Sequence, residues 1–126
     1  MSPKSVKGVP LSNFPLIEDN PLVLGAEKIS WEVFENAPDL FEPGFVSMQP
    51  LRRMFGLLIL EKIRKAEDDD LLQQWLEVPV MQYFTGEELF HWDLPVTKEE
   101  IQVFRSQLSS KGKSLVKSMV DVVRKI

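Results

Sequence analysis

The chain has 126 residues, a net charge of -4, 44% hydrophobic residues and 27% charged residues, which is the composition of one compact domain rather than a disordered chain. It contains no cysteine, so disulfide scaffolds and cysteine-ligated metal sites are excluded. The longest apolar run, residues 54–60, is far shorter than the roughly 20 residues that span a bilayer. Because the start of the chain also lacks the apolar stretch of a signal peptide, we expect a cytoplasmic protein without membrane contact.

Acidic and basic residues are unevenly distributed along the chain. Residues 61–100 carry eleven acidic and four basic residues, whereas residues 101–126 carry six basic residues and one acidic residue. This polarity predicts one basic surface on a mostly acidic body. The overall acidity argues against indiscriminate nucleic-acid binding but allows a local site.

Composition divides the chain into a proline-rich arm, residues 1–27, and a helical domain, residues 28–126. Four prolines interrupt the arm: Pro3, Pro10, Pro15 and Pro21. Because it also shows no helical periodicity, we expect an extended or poorly ordered segment. Its leucines and Phe14 are apolar enough that part of it is expected to lie across the core or on another chain.

Two helices are predicted in the first half of the domain. Ser30 is a candidate cap for a short helix that places Trp31 and Phe34 on one face and ends at Pro38. A longer helix begins at Pro50 and carries apolar residues at helical spacing. Because residues 54–60 are apolar on almost every side, this helix is expected to be central and the most deeply buried.

The acidic run Asp68, Asp69 and Asp70 precedes the next apolar helix, where the helix dipole favours negative charge. We therefore interpret these carboxylates as a cap rather than as a metal site. Pro79 begins another short helix through Phe84. Gly86 is then expected to end it in a left-handed conformation.

Two helices are predicted near the C-terminus. Thr97 and Glu100 match the capping box that starts a helix, and the core-facing residues of this helix are Ile101, Phe104 and Leu108. The sequence then predicts a break formed by Ser109, Ser110 and Gly112. A last helix starts at about Ser114 and carries a wide apolar stripe. The prediction is an all-α bundle of five or six helices with helix-turn-helix-like elements.

No catalytic machinery is visible in the sequence. His91 is the one histidine, and phosphate-binding loops, nucleophile elbows and zinc-ligand patterns are absent. We expect a non-enzymatic protein without cofactor or metal, in which His91 is a partly buried, hydrogen-bonded residue. Five aromatic residues are interpreted as core rather than as a stacking surface for bases: Trp75, Tyr83, Phe84, Phe90 and Trp92.

Residues 71–95 carry a more specific signal. The ordered landmarks are Trp75, Pro79, Gln82, Tyr83, Phe84, Gly86, Glu87, Phe90, Leu94 and Pro95. This stretch closely resembles the N-terminal domain of InsH-type insertion-sequence transposases, which belong to the DDE superfamily. The resemblance extends over about residues 28–120.

In that family the domain precedes an RNase H-like catalytic domain with three acidic metal ligands, and it is thought to recognise transposon-end DNA. The resemblance therefore implies a bacterial DNA-binding and assembly domain. We expect the catalytic domain to be missing here, so that the chain does not cleave or join DNA by itself. Glu99 and Glu100 lie where the family is usually not acidic, which leaves an alternative open: a domesticated protein-interaction module with an acidic face, acting as a regulator or inhibitor.

Each hypothesis assigns its own residues. For double-stranded DNA, the candidate groove contacts are Lys98, Gln102, Arg105 and Ser106, because glutamine and arginine suit the edges of adenine and guanine. The candidate phosphate contacts are Lys111, Lys113, Lys117, Arg124 and Lys125, joined by Arg52 and Arg53. For a protein partner or a homodimer, the candidates are Glu87, Glu88, Leu115, Met119, Val122 and Ile126.

Overall fold

The computed structural model describes residues 9–14, 20–35 and 38–126. These residues form six α-helices: α1 (Pro21–Lys28), α2 (Leu51–Arg64), α3 (Asp68–Glu77), α4 (Pro79–Phe84), α5 (Lys98–Ser106) and α6 (Ser110–Arg124). Short 3-10 turns lie at Leu11–Asn13, Trp31–Phe34 and Pro38–Leu40. The described ranges contain no β-strand, and the prediction of a small all-α bundle of five or six helices is confirmed.

Helix α2 lies at the centre of the bundle. It packs against α3, α5, α6 and the turn Trp31–Phe34, and every residue from 54 to 60 is buried. The apolar side chains all around this helix are therefore packed against other parts of the protein, as the sequence predicts. On one side, α1 packs against α4 and α6.

The expectation that the N-terminal segment has no helix is wrong, because α1 spans Pro21–Lys28. The Asn20 side chain accepts a hydrogen bond of 2.8 Å from the Leu22 N–H. Pro21 then occupies the first helical position, where its fixed φ is favourable and its missing N–H costs nothing. Pro21, a residue type expected to interrupt helices, therefore starts a helix here.

Part of the predicted arm lies across the core, as expected. Leu11 is buried, its N–H donates to the Glu88 carbonyl at 2.9 Å, and the Phe90 N–H donates to the Val9 carbonyl at 2.8 Å. The ring of Phe14 packs against that of Phe90, with centroids 4.8 Å apart. Residues 1–8 and 15–19 of the arm, with Pro3 and Pro15, lie outside the described residues, and the division into arm and domain stays a prediction.

The predicted short helix after Ser30 is a 3-10 turn, Trp31–Phe34, and the Ser30 side chain does not cap it. The turn is held by the indole of Trp31 instead, which donates to the Ala26 carbonyl at 2.9 Å. Phe34 stacks on Phe55 with centroids 4.1 Å apart. Tertiary contacts thus replace the local cap that the sequence indicates.

The predicted helix start at Thr97 is confirmed. The Thr97 hydroxyl accepts from the Glu100 N–H at 3.1 Å and the Glu100 carboxylate accepts from the Thr97 N–H at 2.9 Å, which is the complete capping box. Helix α4 and the left-handed Gly86 are also as predicted. The acidic run lies in the first turn of α3, although the N-cap residue itself is Glu67.

The predicted start of the last helix is wrong by four residues, because α6 begins at Ser110. Ser109 caps it by accepting from the Gly112 N–H at 3.2 Å, so the connection to α5 is residues 107–109 alone. Gly112 lies inside the helix and lets it approach the turn Pro38–Leu40. A Cβ at residue 112 would be 2.3 Å from the Leu40 carbonyl oxygen, closer than atoms can pack.

We therefore expect Gly112→Ala to lower the free energy of unfolding by about 1–3 kcal/mol, since overpacking against backbone outweighs the better helix propensity of alanine. Urea unfolding followed by circular dichroism measures this. Ser114→Ala, an exposed change on the same helix, is the control and should leave stability unchanged or slightly raised. Equal stability of the Gly112→Ala variant and the wild type would contradict the close approach.

The interpretation of the aromatic residues as core is confirmed except for Trp92. Trp75, Phe84 and Phe90 are buried and Tyr83 is partly buried. Trp92 is 45% exposed and packs edge-on against Phe90, with centroids 4.7 Å apart. It lies in the irregular connection between α4 and α5, where no helical face directs it inward.

The connection between α4 and α5 is organised by a buried amide. Gln82 is fully buried; its Nε2 donates to the carbonyls of Trp75 at 3.3 Å and His91 at 3.0 Å, and its Oε1 accepts from the His91 N–H at 2.7 Å. A single side chain thus fixes the backbone of a segment without regular structure.

None of the helices in the described part of the chain is long and apolar enough to cross a bilayer.

Candidate nucleic-acid interface

One side of the bundle carries two adjoining cavities. The end of α2, the first turn of α3 and one side of α5 line a cavity of about 650 Å³. The end of α2, the end of α5 and α6 line a groove of about 520 Å³. Both are lined by Glu61, Lys62 and Arg105. We call this surface the basic face, and its cationic residues are Lys62, Lys65, Lys98, Arg105, Lys113, Lys117 and Arg124.

The basic face brings together six of the eleven residues predicted to contact DNA: Lys98, Gln102, Arg105, Lys113, Lys117 and Arg124. Arg52 and Arg53 line a different cavity with Glu87 and Glu88. Lys111 lies beside Leu115 in a third cavity and pairs with Asp39 at 2.9 Å. Ser106 and Lys125 are exposed but line neither cavity of the basic face.

Sequence reasoning missed Lys62 and Lys65. Both follow the apolar part of α2, at the C-terminal end where positive charge is favourable to the helix dipole. The signal was present as a run of basic residues, Lys62, Arg64 and Lys65. Their proximity to α5 and α6 depends on how the helices pack, which a local sequence pattern does not show.

Arg105 is the centre of an ionic cluster. Its Nη2 lies 2.7 Å from Asp68 Oδ1 and also donates to the Glu61 carboxylate, while Nη1 reaches Asp68 Oδ2 at 3.4 Å. Both carboxylates are largely buried, and Arg105 is only partly exposed. The predicted guanine contact is therefore occupied by protein carboxylates, and binding to a base edge would require their displacement.

The two carboxyls of this cluster have opposite electrostatic environments. Burial raises the pKa of the Glu61 carboxyl, and its hydrogen bond with Asp68 acts in the same direction. Burial also acts to raise the pKa of Asp68, but hydrogen bonds from Arg105 and Glu61 outweigh it and hold that pKa below its usual value. Of the two carboxyls, Glu61 therefore has the environment that favours the protonated form.

The groove next to this cluster has an apolar floor and a charged rim. Leu58, Leu108, Val116 and Val120 form the floor, and each is almost completely buried. The rim carries these ionisable residues: Glu61, Lys62, Arg105, Lys113, Lys117, Asp121 and Arg124. Because Glu61 and Arg105 bind each other, three lysines and Arg124 face Asp121, and the rim is net positive.

Arg52 and Arg53 belong to the protein's own packing. The guanidinium of Arg52 lies over the Trp31 ring at 4.6 Å, and burial lowers its pKa below the ordinary arginine value. Arg53 forms a bidentate pair with Glu87 at 2.9 and 2.6 Å. Their placement beside Glu87 and Glu88 separates them from the basic face.

The alternative site, an acidic interaction surface, needs one correction. Glu87 is not a surface residue: its side chain is 5% exposed and binds Arg53 and, at 2.8 Å, His91 Nε2. Glu88 is exposed. The prediction that His91 is partly buried and hydrogen-bonded is confirmed. Among the described residues, no group of three or more potential ligands is arranged to hold a metal ion.

The apolar stripe of the last helix is used mainly within the bundle. Val116, Val120 and Val123 are buried, so the helix packs back on its own core. The interaction candidates Leu115, Met119 and Val122 are half-buried against this core, and Ile126 is 38% exposed. The stripe as a whole is therefore not a free surface.

The chain is similar to a Rhizobium meliloti protein named "Uncharacterized protein ORF8 in nfe locus", with 28% identity over 102 residues. The match covers 79% of this chain and 49% of that protein, so the chain spans about half the length of this relative. No family model matches the chain. No solved structure matches it either.

Proposed function

We propose that this chain binds double-stranded DNA and serves as an assembly module of the kind that recognises transposon ends, without catalytic activity of its own. The observation that carries the proposal is the basic face, where seven cationic residues from α2, its C-cap Lys65, α5 and α6 outnumber the five carboxylates that line the same cavities, in a chain of net charge -4. Such a concentration of positive charge against an acidic background is the electrostatic signature of phosphate recognition. As part of this proposal we place the protein in the bacterial cytoplasm.

The order of elements supports the same function. Helices α5 and α6 are joined by residues 107–109 alone, the connection length of a helix-turn-helix. Lys113, Lys117 and Arg124 lie four and seven residues apart, so they share one side of the second helix. That row can follow a DNA backbone, while Gln102 is exposed beside it for contact with a base.

The carboxylates that line this surface are fewer than its seven cationic residues: Glu61, Glu67, Asp68, Asp69 and Asp121. Glu61 and Asp68 are bound by Arg105, and Asp69 lies 3.4 Å from Lys98 Nζ. Lys62, Lys65, Lys113 and Lys117 have no carboxylate partner within 4 Å in the described part of the chain, and Arg124 donates to the Lys62 carbonyl at 3.1 Å. These residues remain for phosphate.

Selection from a randomised duplex pool, followed by salt titration of the selected sequence by fluorescence anisotropy, tests the proposal. We expect Lys117→Ala to weaken binding to all sequences and to reduce the salt slope by about 0.9, the value for one lost phosphate contact. Lys28→Ala removes an exposed cation at the end of α1 and is the matched control. Absence of binding at low salt, or an equal effect of the control, would contradict the assignment.

The same titration separates base contact from phosphate contact at Arg105. If the guanidinium exchanges its carboxylates for guanine, Arg105→Ala should weaken the selected sequence by about 1–3 kcal/mol and a scrambled one much less. Equal loss on both sequences would mean that Arg105 only holds α5 to α2 and α3.

A further inference from the structure

A second surface of the molecule exposes apolar side chains. Met48 is 92% exposed, Val46 is 77% exposed and Val103 of α5 is 53% exposed. These exposed side chains border a cavity of about 240 Å³ that Glu99 and Glu100 also line, and no cationic residue lines it. We call Val46, Met48 and Val103 the apolar knob.

The knob is held in place rather than loosely attached. The Ser47 hydroxyl donates to the Gln49 carbonyl at 2.8 Å and accepts from the Gln49 N–H at 3.2 Å. The Gln49 side chain donates to the Pro95 carbonyl at 3.0 Å and to Glu100 at 2.9 Å, and accepts from Arg53 at 2.9 Å. This loop is therefore preorganised, which lowers the entropic cost of inserting its apolar side chains into a partner.

The groove of the basic face is complementary to this knob. Its floor is apolar and its rim is net positive, whereas the knob is apolar and flanked by carboxylates. A volume of about 520 Å³ falls within the range of sites that enclose a small apolar group. The two surfaces of this one chain therefore match in apolar character and in charge.

A molecule cannot fill its own groove. Val103 belongs to the knob and Arg105 to the groove, and two residues along a helix point about 200° apart around its axis. The two surfaces share no residue and lie on different sides of α5. Contact between them is therefore intermolecular.

We propose that the knob of one copy of this chain docks into the groove of a second copy. The contact is head-to-tail, since two different surfaces meet, and each associated molecule keeps one free knob or one free groove for a further copy. The proposal goes beyond DNA binding and does not depend on it. Lys113 and Lys117 line the groove and are also proposed phosphate contacts. DNA and a second copy therefore compete for the groove, and the test is made without DNA.

Sedimentation velocity over a concentration series measures the association. We expect the average mass of the wild-type chain to rise with concentration and to fall when salt is added, since the contact is partly ionic. Met48→Lys removes an apolar side chain and places a cation against the positive rim, so it should weaken association by about ten- to a hundredfold. Leu94→Lys, at a residue that is 42% exposed outside the knob, is the control and should have no effect.

A mixing experiment distinguishes this contact from a symmetric dimer. The double variant Lys113→Glu with Lys117→Glu alters the groove and keeps the knob, while Met48→Lys alters the knob and keeps the groove. Each alone should be monomeric, and their mixture should form a one-to-one dimer that grows no further. All three substituted residues are exposed, and circular dichroism checks that each variant is folded.

Three results would overturn the proposal. The first is a wild-type chain that stays monomeric at every concentration. The second is a mixture that stays monomeric although the wild type associates, which means a symmetric interface. The third is equal loss of association in Leu94→Lys and Met48→Lys, which means that the knob makes no specific contribution to the contact.

Discussion

Reversing the charge of Glu87 is expected to destabilise the protein by about 3–5 kcal/mol, the cost of breaking a buried ion pair from one side. The Glu87 carboxylate is 5% exposed and accepts two hydrogen bonds from Arg53, with His91 Nε2 at 2.8 Å. In Glu87→Lys, an ammonium faces Arg53 in a site closed to water. Urea unfolding followed by circular dichroism would show a lower midpoint or an unfolded chain.

The neighbouring residue gives a matched control for this variant. Glu88 is exposed, so Glu88→Lys should change the free energy of unfolding by no more than about 0.5 kcal/mol. A comparable loss in both variants would contradict the special role of the buried Glu87 carboxylate, whereas the hypothesis of an acidic interaction face predicts that both variants stay folded. A large difference between them means that Glu87 joins α2 to the connection before α5 and is not available to a partner.

Truncating Phe55 is expected to have an effect of similar size. Phe55 on α2 is fully buried and lies among the rings of Phe34, Phe104 and Phe41, with centroids 4.1, 5.1 and 5.8 Å away. Phe55→Ala leaves a cavity that these rings cannot fill without moving, and we expect a loss of about 3–5 kcal/mol. Thermal and urea unfolding measure it.

Phe14→Ala is the comparison for the cavity effect. Phe14 is partly exposed and packs against one other ring, that of Phe90, so its removal exposes surface instead of creating a closed void. We expect a clearly smaller loss than for Phe55→Ala. Equal losses would show that the rings around Phe55 relax into the space, and would contradict the close packing of the centre.

The helices whose signals are local could be predicted from the sequence. The capping box at Thr97 and Glu100 involves residues three apart, and the proline at the start of α4 acts on its own turn, so no tertiary contact is needed. Two wrong helix boundaries share one cause. By their residue types Pro21 and Ser109 suggest interruptions of a helix, although each favours a helix start when the following residues are helical.

The positive charge of the candidate site could be predicted from the sequence, but the ion pairs formed by its residues could not. The excess of basic residues after residue 100 correctly indicated lysines on α6 that now line the groove. The partners of Arg105, however, lie 44 and 37 residues away in sequence, and their approach depends on how α2, α3 and α5 pack. The burial of Glu87 was equally hidden, because carboxylates are usually exposed and no pattern marks the exception.

The amide of Gln82 makes the irregular connection before α5 part of the cooperative unit of the protein. Surface loops usually open locally at a small free-energy cost, independently of the core. Here the backbone at His91 cannot leave without breaking bonds to a fully buried side chain on α4, and an unsatisfied amide would remain in the apolar interior. Opening of this segment is therefore coupled to the loss of α4 itself, so that a connection without regular structure has nearly the resistance to opening of the bundle around it.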